Sequence, residues 1–371
     1  TQTGKGTGAS WITVICSGLL GAILYLFPYL DPVSYLITTC VGAVVFGWAV
    51  ASAGRKFSAF NEAVNDRNET FSQCRKLMKT DDSVNIPMRF QYRYRIFKGW
   101  INVINPFRAT MVLGTPGSGK SFSVYGPFIE QMIAKGYSMF IYDYKFPDLT
   151  EIVYNEFMDN VHKYDIIPEF CVINFNDPTR SLRCNPINPR YITDPADTTE
   201  IAELVMLNVN KAAVEKEDFF TLSAKVYLDA LIWFLKLYED GKYCTFPHVI
   251  ELMAQDYKKV FSILSRYPEL EAKIKPFSNA LEGGAQDQLQ GQIASAQIPL
   301  NKFVSPSLYW VLTGDDFTLD INDPKHPKIL CVGNDPDRQA IYSTTLALFT
   351  SRMFKLINHK GKRKCGVLLD E

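Results

Sequence analysis

Histidine is scarce in this chain, and the four present, His162, His248, His326 and His359, are too scattered to form a ligand cluster. None of the eight cysteines stands in a Cys-x-x-Cys pair. These absences argue against a zinc site and against a disulfide framework. Net charge is lacking as well, because 39 Lys and Arg balance 39 Asp and Glu. That balance disfavours a generic nucleic-acid binder held by overall charge. It conceals one local excess: residues 55–120 are basic, and Arg89, Arg93, Arg95, Lys98 and Arg108 have no intervening acid. Such a patch suits lipid headgroups, nucleic acid or an ordinary solvated face, and the residues alone do not separate these.

Charge is missing altogether from two early stretches, Trp11 to Leu30 and Val33 to Ala53, separated by Asp31-Pro32. Each is about 20 residues long, enough to cross a bilayer as a helix. Two in tandem predict an N-terminal two-helix transmembrane hairpin rather than a signal peptide or a buried helix. Lys5 precedes the first run and Arg55-Lys56 follow the second. The basic-side rule then places both ends, and the soluble part, in the cytoplasm, with the anchor in the bacterial inner membrane.

The most specific motif is Gly114-Thr115-Pro116-Gly117-Ser118-Gly119-Lys120-Ser121, which fits every fixed position of a phosphate-binding loop. Ala109 to Leu113 read as the strand before it, and Phe122 to Ala134 as the helix after it. The glycines let backbone N–H groups turn toward phosphate, and the helix N-terminus adds partial positive charge. Gly114 to Ser121, with Phe122 following, are therefore the expected nucleotide-binding set. Lys120 would reach the β- and γ-phosphates of ATP, and Ser121 would hold Mg2+. At the far end, Lys364 to Leu369 form an apolar strand that runs into Asp370 and Glu371. This arrangement suits a Walker B element, with Asp370 on the magnesium shell and Glu371 polarising the attacking water.

Between these motifs the pattern predicts an α/β P-loop NTPase core. Tyr137 to Tyr142, Phe170 to Phe175 and Lys328 to Gly333 read as strands, and Leu149 to Asp159 and Gln339 to Asn358 as helices. Asp143 and Lys145, at a strand end near the crevice of a parallel sheet, are candidates for coupling nucleotide state to substrate, or form a surface ion pair. Asn334, Asp335 and Arg338 stand past another strand end, where Arg338 reads as an exposed loop residue or a contact to phosphate in a neighbouring subunit. Residues 199–208, 220–238, 247–255, 258–266 and 289–300 carry helical periodicity and form an all-α insertion. The expected domains are 1–56 for the membrane anchor, 57–195 for the first part of the NTPase, 196–300 for the insertion and 301–371 for the continuation through Walker B.

This order of features resembles the type IV secretion coupling proteins, the TraG/TraD-like ATPases of conjugation. The likeness covers nearly the whole chain. It includes the apolar runs, Gly114 to Ser121, Tyr142-Asp-Tyr-Lys145, Leu182-Arg-Cys-Asn185-Pro186, Asp218-Phe-Phe220 with Ala224 and Leu228, Phe317 to Ile321, and Leu368-Leu-Asp370-Glu371. The resemblance implies a RecA-like core and an ATP-driven motor that passes a relaxase–DNA complex to the type IV secretion machinery. It also implies single-stranded DNA as a partner, an active homo-hexamer and cargo recognition by the insertion. Asp31-Pro32 leaves almost nothing outside the membrane, which weighs against a periplasmic docking role. The chain stops at Glu371, before the later strands of a RecA-like core, so further strands and catalytic groups are expected beyond it. A protein or chromosomal-DNA translocase, or a membrane receptor that binds nucleotide with little turnover, are the alternatives.

Overall fold

The structure is a computed structural model that describes residues 11–26, 31–68, 72–92, 95–115, 117–209 and 218–370. The chain divides into two units, residues 1–79 with 85–104 and residues 80–84 with 105–371.

The first unit begins with α1 (Trp11–Leu26) and α2 (Pro32–Asn68). Asp31 caps α2: its carboxylate accepts from Ser34 N–H at 3.3 Å and its carbonyl from Tyr35 N–H at 2.9 Å. Pro32 occupies the first helical position, where a missing N–H costs nothing. Over Pro32–Gly54, 23 residues with a mean hydropathy of 1.9, α2 is long and apolar enough to cross a membrane. Among the described residues it is the one helix that is. At 16 residues α1 reaches about 24 Å, short of a hydrocarbon core of about 30 Å. The remainder of the first apolar run, residues 27–30, lies outside the described residues, so the two-span expectation is met here by one span.

The two helices nevertheless pack antiparallel. A Cβ on Gly21 would fall 2.6 Å from Phe46 N, one on Gly42 2.6 Å from Tyr25 N, and one on Gly18 3.6 Å from Ala49 Cβ. Small residues thus allow the two backbones to approach, as at helix contacts in membranes. The unit continues into β1 (Val84–Tyr92) and β2 (Arg95–Val103), which pair as a two-stranded sheet. Asn102 fastens residues 74–78 along it: its Oδ1 accepts from Met78 N–H at 3.0 Å, and its Nδ2 donates to Lys76 O at 3.0 Å. The sequence reading did not foresee this sheet, because cations and Pro87 interrupt the alternation by which a half-buried strand is recognised.

The second unit is built on a four-stranded parallel sheet of β3 (Ser138–Asp143), β4 (Glu169–Ile173), β5 (Lys328–Gly333) and β6 (Cys365–Leu369), in the order β4-β5-β3-β6. Phe140 stands in register with Leu330 and Val367, and Leu330 with Cys171. These residues share one face. Phe140, Leu330 and Cys171 join the apolar core that continues through α12 (Gln339–Ile357) and the helical insertion. The opposite face meets α3 (Gly126–Ala134) and α4 (Asp148–Asn160): a Cβ on Gly366 would meet Met132 Sδ at 2.6 Å, and Thr150 lies on Asp143. Strands covered on both faces read as unbroken apolar runs, which is why β3, β5 and β6 stood out in the sequence.

Between β4 and β5 the chain forms α5 (Pro195–Val209), α6 (Phe219–Leu237), α7 (Phe246–Met253), α8 (Tyr257–Leu264), α9 (Glu271–Glu282), α10 (Gln286–Leu300) and α11 (Pro306–Thr313), the last lying past the expected insertion. The sequence pattern missed α9, which contains Pro276, and α11, only 8 residues long.

One expected strand is absent. Residues Ala109 to Leu113 pair with no strand among the described residues, and Met111 and Leu113 are 83% and 81% exposed. Apolar composition favours an extended segment but supplies no ladder partner, and β6 has only β3 beside it.

Candidate nucleotide-binding site

The loop from Gly114 to Ser121 adopts a form only glycine accommodates at its bends. Gly117 and Gly119 have φ of 74° and 82°, in the left-handed region. At Gly114 a Cβ would stand 2.7 Å from Ser118 Oγ, so the loop closes there as well. Ser118 N–H donates to Thr115 O at 3.1 Å, and the Lys120 ammonium reaches back across the loop to donate to Gly114 O at 2.8 Å. A cation held at the mouth of a glycine loop that opens a helix suits polyphosphate. Pro116 lies outside the described residues.

The helix after the loop starts with a π-helical turn at Ser121–Tyr125, in which Gly126 N–H donates to Ser121 O. Ser121 and Phe122 are exposed on this turn, Phe122 at 87%. Wider turns of this kind recur at functional sites. Tyr125 was not singled out from the sequence, yet its hydroxyl donates to Leu369 O at 2.7 Å. That bond joins the helix after the loop to the end of β6, one residue before Asp370. A tyrosine in an amphipathic helix carries no sequence signal for such a contact.

Asp370 is buried, and its N–H donates to Tyr142 O at 3.2 Å, continuing the β3–β6 ladder. Burial, with the neighbouring Tyr144 and Asp370 charges, pushes the Tyr142 phenol up to about 12, so it is neutral at physiological pH. Glu371 lies outside the described residues.

Asp143 is not half of a surface ion pair. It is fully buried, and its Oδ2 accepts from Thr150 N–H at 2.9 Å and Thr150 Oγ1 at 2.8 Å, in the first turn of α4. Burial raises its carboxyl above the usual range, against the opposing pull of the Thr150 bonds. Lys145 is exposed. Just past β5, Asn334 N–H donates to Asp143 O at 2.9 Å, so the ends of the two central strands are tied together. Arg338 is held within its own chain, 4.0 Å from Asp335 and 3.4 Å from the Tyr342 hydroxyl. Asn185 is buried where the insertion joins the core: its Nδ2 donates to Cys244 O at 2.8 Å and its Oδ1 accepts from Ile187 N–H at 3.1 Å.

No curated protein matches the chain. Among solved structures, the plasmid coupling protein TrwB in complex with a non-hydrolysable ATP analogue aligns with a TM-score of 0.50 at 15% identity, covering 70% of this chain and 55% of that one. TrwB with ADP and Mg2+ aligns at 0.48 and 15% identity, covering 68% and 54%. The chain thus spans about half the length of these structures. At such identity the likeness establishes the fold, a mixed α/β core with a parallel sheet, consistent with a RecA-like P-loop NTPase, and an all-α insertion. A sequence profile described as type IV secretory system conjugative DNA transfer matches residues 62–371, which takes in the loop, the insertion and the terminal acids. With that span matched end to end, the chain belongs to the type IV secretory system conjugative DNA transfer family.

Proposed function

We propose that this protein is a membrane-anchored ATP hydrolase that delivers a relaxase–DNA complex to a type IV secretion channel. The observation that carries the reading is the closed phosphate loop, with Lys120 at its mouth, inside a span matched by a conjugative DNA transfer family. The loop N–H groups and Lys120 bind the phosphates of ATP and orient the γ-phosphate for in-line attack. Ser121 and Asp370 are the residues suited to hold Mg2+, which when bound neutralises charge on the phosphate oxygens. Glu371 positions water and accepts its proton. Tyr125 keeps the loop helix and the strand end that carries these acids in fixed relation.

Residues 1–56 form the anchor in the bacterial inner membrane, with α1 and α2 crossing as a pair. Their antiparallel glycine contact supports this arrangement. Residues 57–195 and 301–371 form the NTPase core, and residues 196–300 meet the cargo. Membership of a conjugative DNA transfer family supports hexamer formation and single-stranded DNA as the transported polymer. ATP turnover by the purified chain, with and without single-stranded DNA, tests the proposal. Wild-type protein hydrolyses ATP and is stimulated by DNA, and Lys120→Ala loses turnover while keeping its thermal melt. Glu371→Gln retains ATP affinity but loses about 100-fold or more in rate, the scale expected on removing a general base. Wild-type turnover in Lys120→Ala would overturn the site assignment.

A further inference from the structure

The lobe that follows α2 carries charge of one sign. Residues 72–79 and 85–104 hold seven Lys or Arg and no Asp or Glu. Two cross-strand contacts fix how β1 faces β2: the Phe90 and Phe97 rings stand 5.7 Å apart, and Asn85 Nδ2 donates to Asn102 Oδ1 at 2.8 Å. Both fit one antiparallel register, and that register sets Arg89 across from Lys98 on the Asn85 face. Like charges directly opposite each other weaken a strand pair, so an external anion between them is favoured. Along β2 the same face carries Ile96, 76% exposed, and the half-buried Trp100.

We propose that this face of the β1–β2 hairpin lies on the anionic surface of the membrane that α2 enters. Arg89 and Lys98 pair with lipid phosphates, Ile96 enters the headgroup boundary, and Trp100 sits at its level. Cations beside an aliphatic side chain and an indole are the composition of interfacial contacts. The tether favours the same partner. From Gly54 to Asn68 α2 continues unbroken for about 21 Å and the described chain resumes at Ser72, a tether short enough for a hairpin of about 30 Å to reach back to the bilayer surface. A single-stranded nucleic acid would instead call for a row of exposed rings on which successive bases stack. Among the described residues this face carries one ring, the half-buried Trp100.

The inference rests on α2 crossing the membrane, and its test separates the two. The full chain is placed in nanodiscs of phosphatidylcholine alone or with phosphatidylglycerol, and amide exchange is followed across β1 and β2. Anionic lipid slows exchange there by about fivefold for each cation engaged, in line with the attraction of a basic residue to an anionic leaflet. The pair Arg89→Glu and Lys98→Glu returns the rate to that in phosphatidylcholine, while α12 amides stay unchanged and report an intact fold. Equal rates in both discs, with the chain still resisting carbonate extraction, would overturn the docking and leave the anchor standing. Protection of the hairpin by an added single-stranded oligonucleotide, but not by anionic lipid, would overturn it in favour of a nucleic-acid face. Failure to enter the discs at all would instead remove the anchor, and the docking with it.

Discussion

Asp143 shows how one buried carboxylate ties stability to pH. Burial raises its pKa above the ordinary 3.8, so the folded state holds its proton more tightly than the unfolded chain. Its contribution is fully present below 3.8 and is lost as pH rises through the higher folded value. Asp143→Asn keeps an acceptor for Thr150 and removes this titration. The stability difference between variant and wild type therefore shifts in the variant's favour from about pH 4 to pH 7, whatever constant cost the new amide adds. Thermal melts across that range check it, and parallel pH profiles would contradict the assignment. Asp143→Ala leaves the Thr150 N–H and hydroxyl without their acceptor, which adds a cost of about 1–3 kcal/mol to the same pH-dependent shift. Tyr125→Phe removes the bond to Leu369 O, costing about 1 kcal/mol, and loosens the loop helix from the strand end. Nucleotide affinity, measured by calorimetry, should fall more in this variant than its melting temperature suggests.

Among the elements, the contact of α1 with α2 makes the sharpest prediction. The 3.6 Å between Ala49 Cβ and a Cβ built on Gly18 matches the separation found across disulfides. With Cys16 and Cys40 replaced by serine, the pair Gly18→Cys and Ala49→Cys should oxidise readily in membranes. Adding Gly42→Leu, whose Cβ would fall 2.6 Å from Tyr25 N, should abolish the cross-link by forcing the helices apart. An unchanged cross-linking yield would mean that the helices do not meet there. Elements differ in how far the sequence announces them, and the reason is burial. The phosphate loop and β6 were legible because glycine spacing and unbroken apolar runs are local properties. Ala109 to Leu113 looked like a strand for the same reason, but pairing depends on a neighbour and not on composition. The burial of Asp143 was not legible because a polar residue at a strand end looks alike whether solvent or the first turn of α4 receives it. The hairpin of β1 and β2 was hidden because a thin two-stranded sheet with cations among its apolar residues has no clean period.

At the scale of the molecule, the insertion and the nucleotide core share one apolar interior. Tyr227, Leu228 and Leu231 of α6 belong to the same buried cluster as Phe140 of β3 and Val332 of β5. The seam is also polar: Arg352 of α12 is 3% exposed, donates to Asp197 O at 2.8 Å in α5, and stands 3.9 Å from the Asp197 carboxylate. Burial lowers the Arg352 pKa from its ordinary value, against the pull of Glu200 and Asp197, so the pair is held under strain from desolvation. Arg352→Ala removes the buried guanidinium and its bond to Asp197 O, while the half-buried Asp197 carboxylate keeps Thr193, Asp194 and Lys355, so the variant should destabilise by about 1–3 kcal/mol, read as a lowered melting temperature. The same continuity decides how a cargo role of the insertion can be tested. Replacing residues 196–300 with a linker would expose the face of the sheet that carries Phe140, Leu330 and Cys171, so that protein should lose nucleotide binding along with its fold. Exposed positions on the insertion separate the two effects. Phe219 and Phe220 are 51% and 43% exposed at the start of α6. Phe219→Ala, which leaves the Phe220 contact with Gly291 in place, should cost well under 1 kcal/mol, as surface substitutions do. If α6 opens onto the cargo, this variant keeps ATP affinity by calorimetry and captures less relaxase–DNA complex in a pull-down. A linker variant that melts cooperatively and still binds ATP would show instead that the shared interior is not what holds the nucleotide core together.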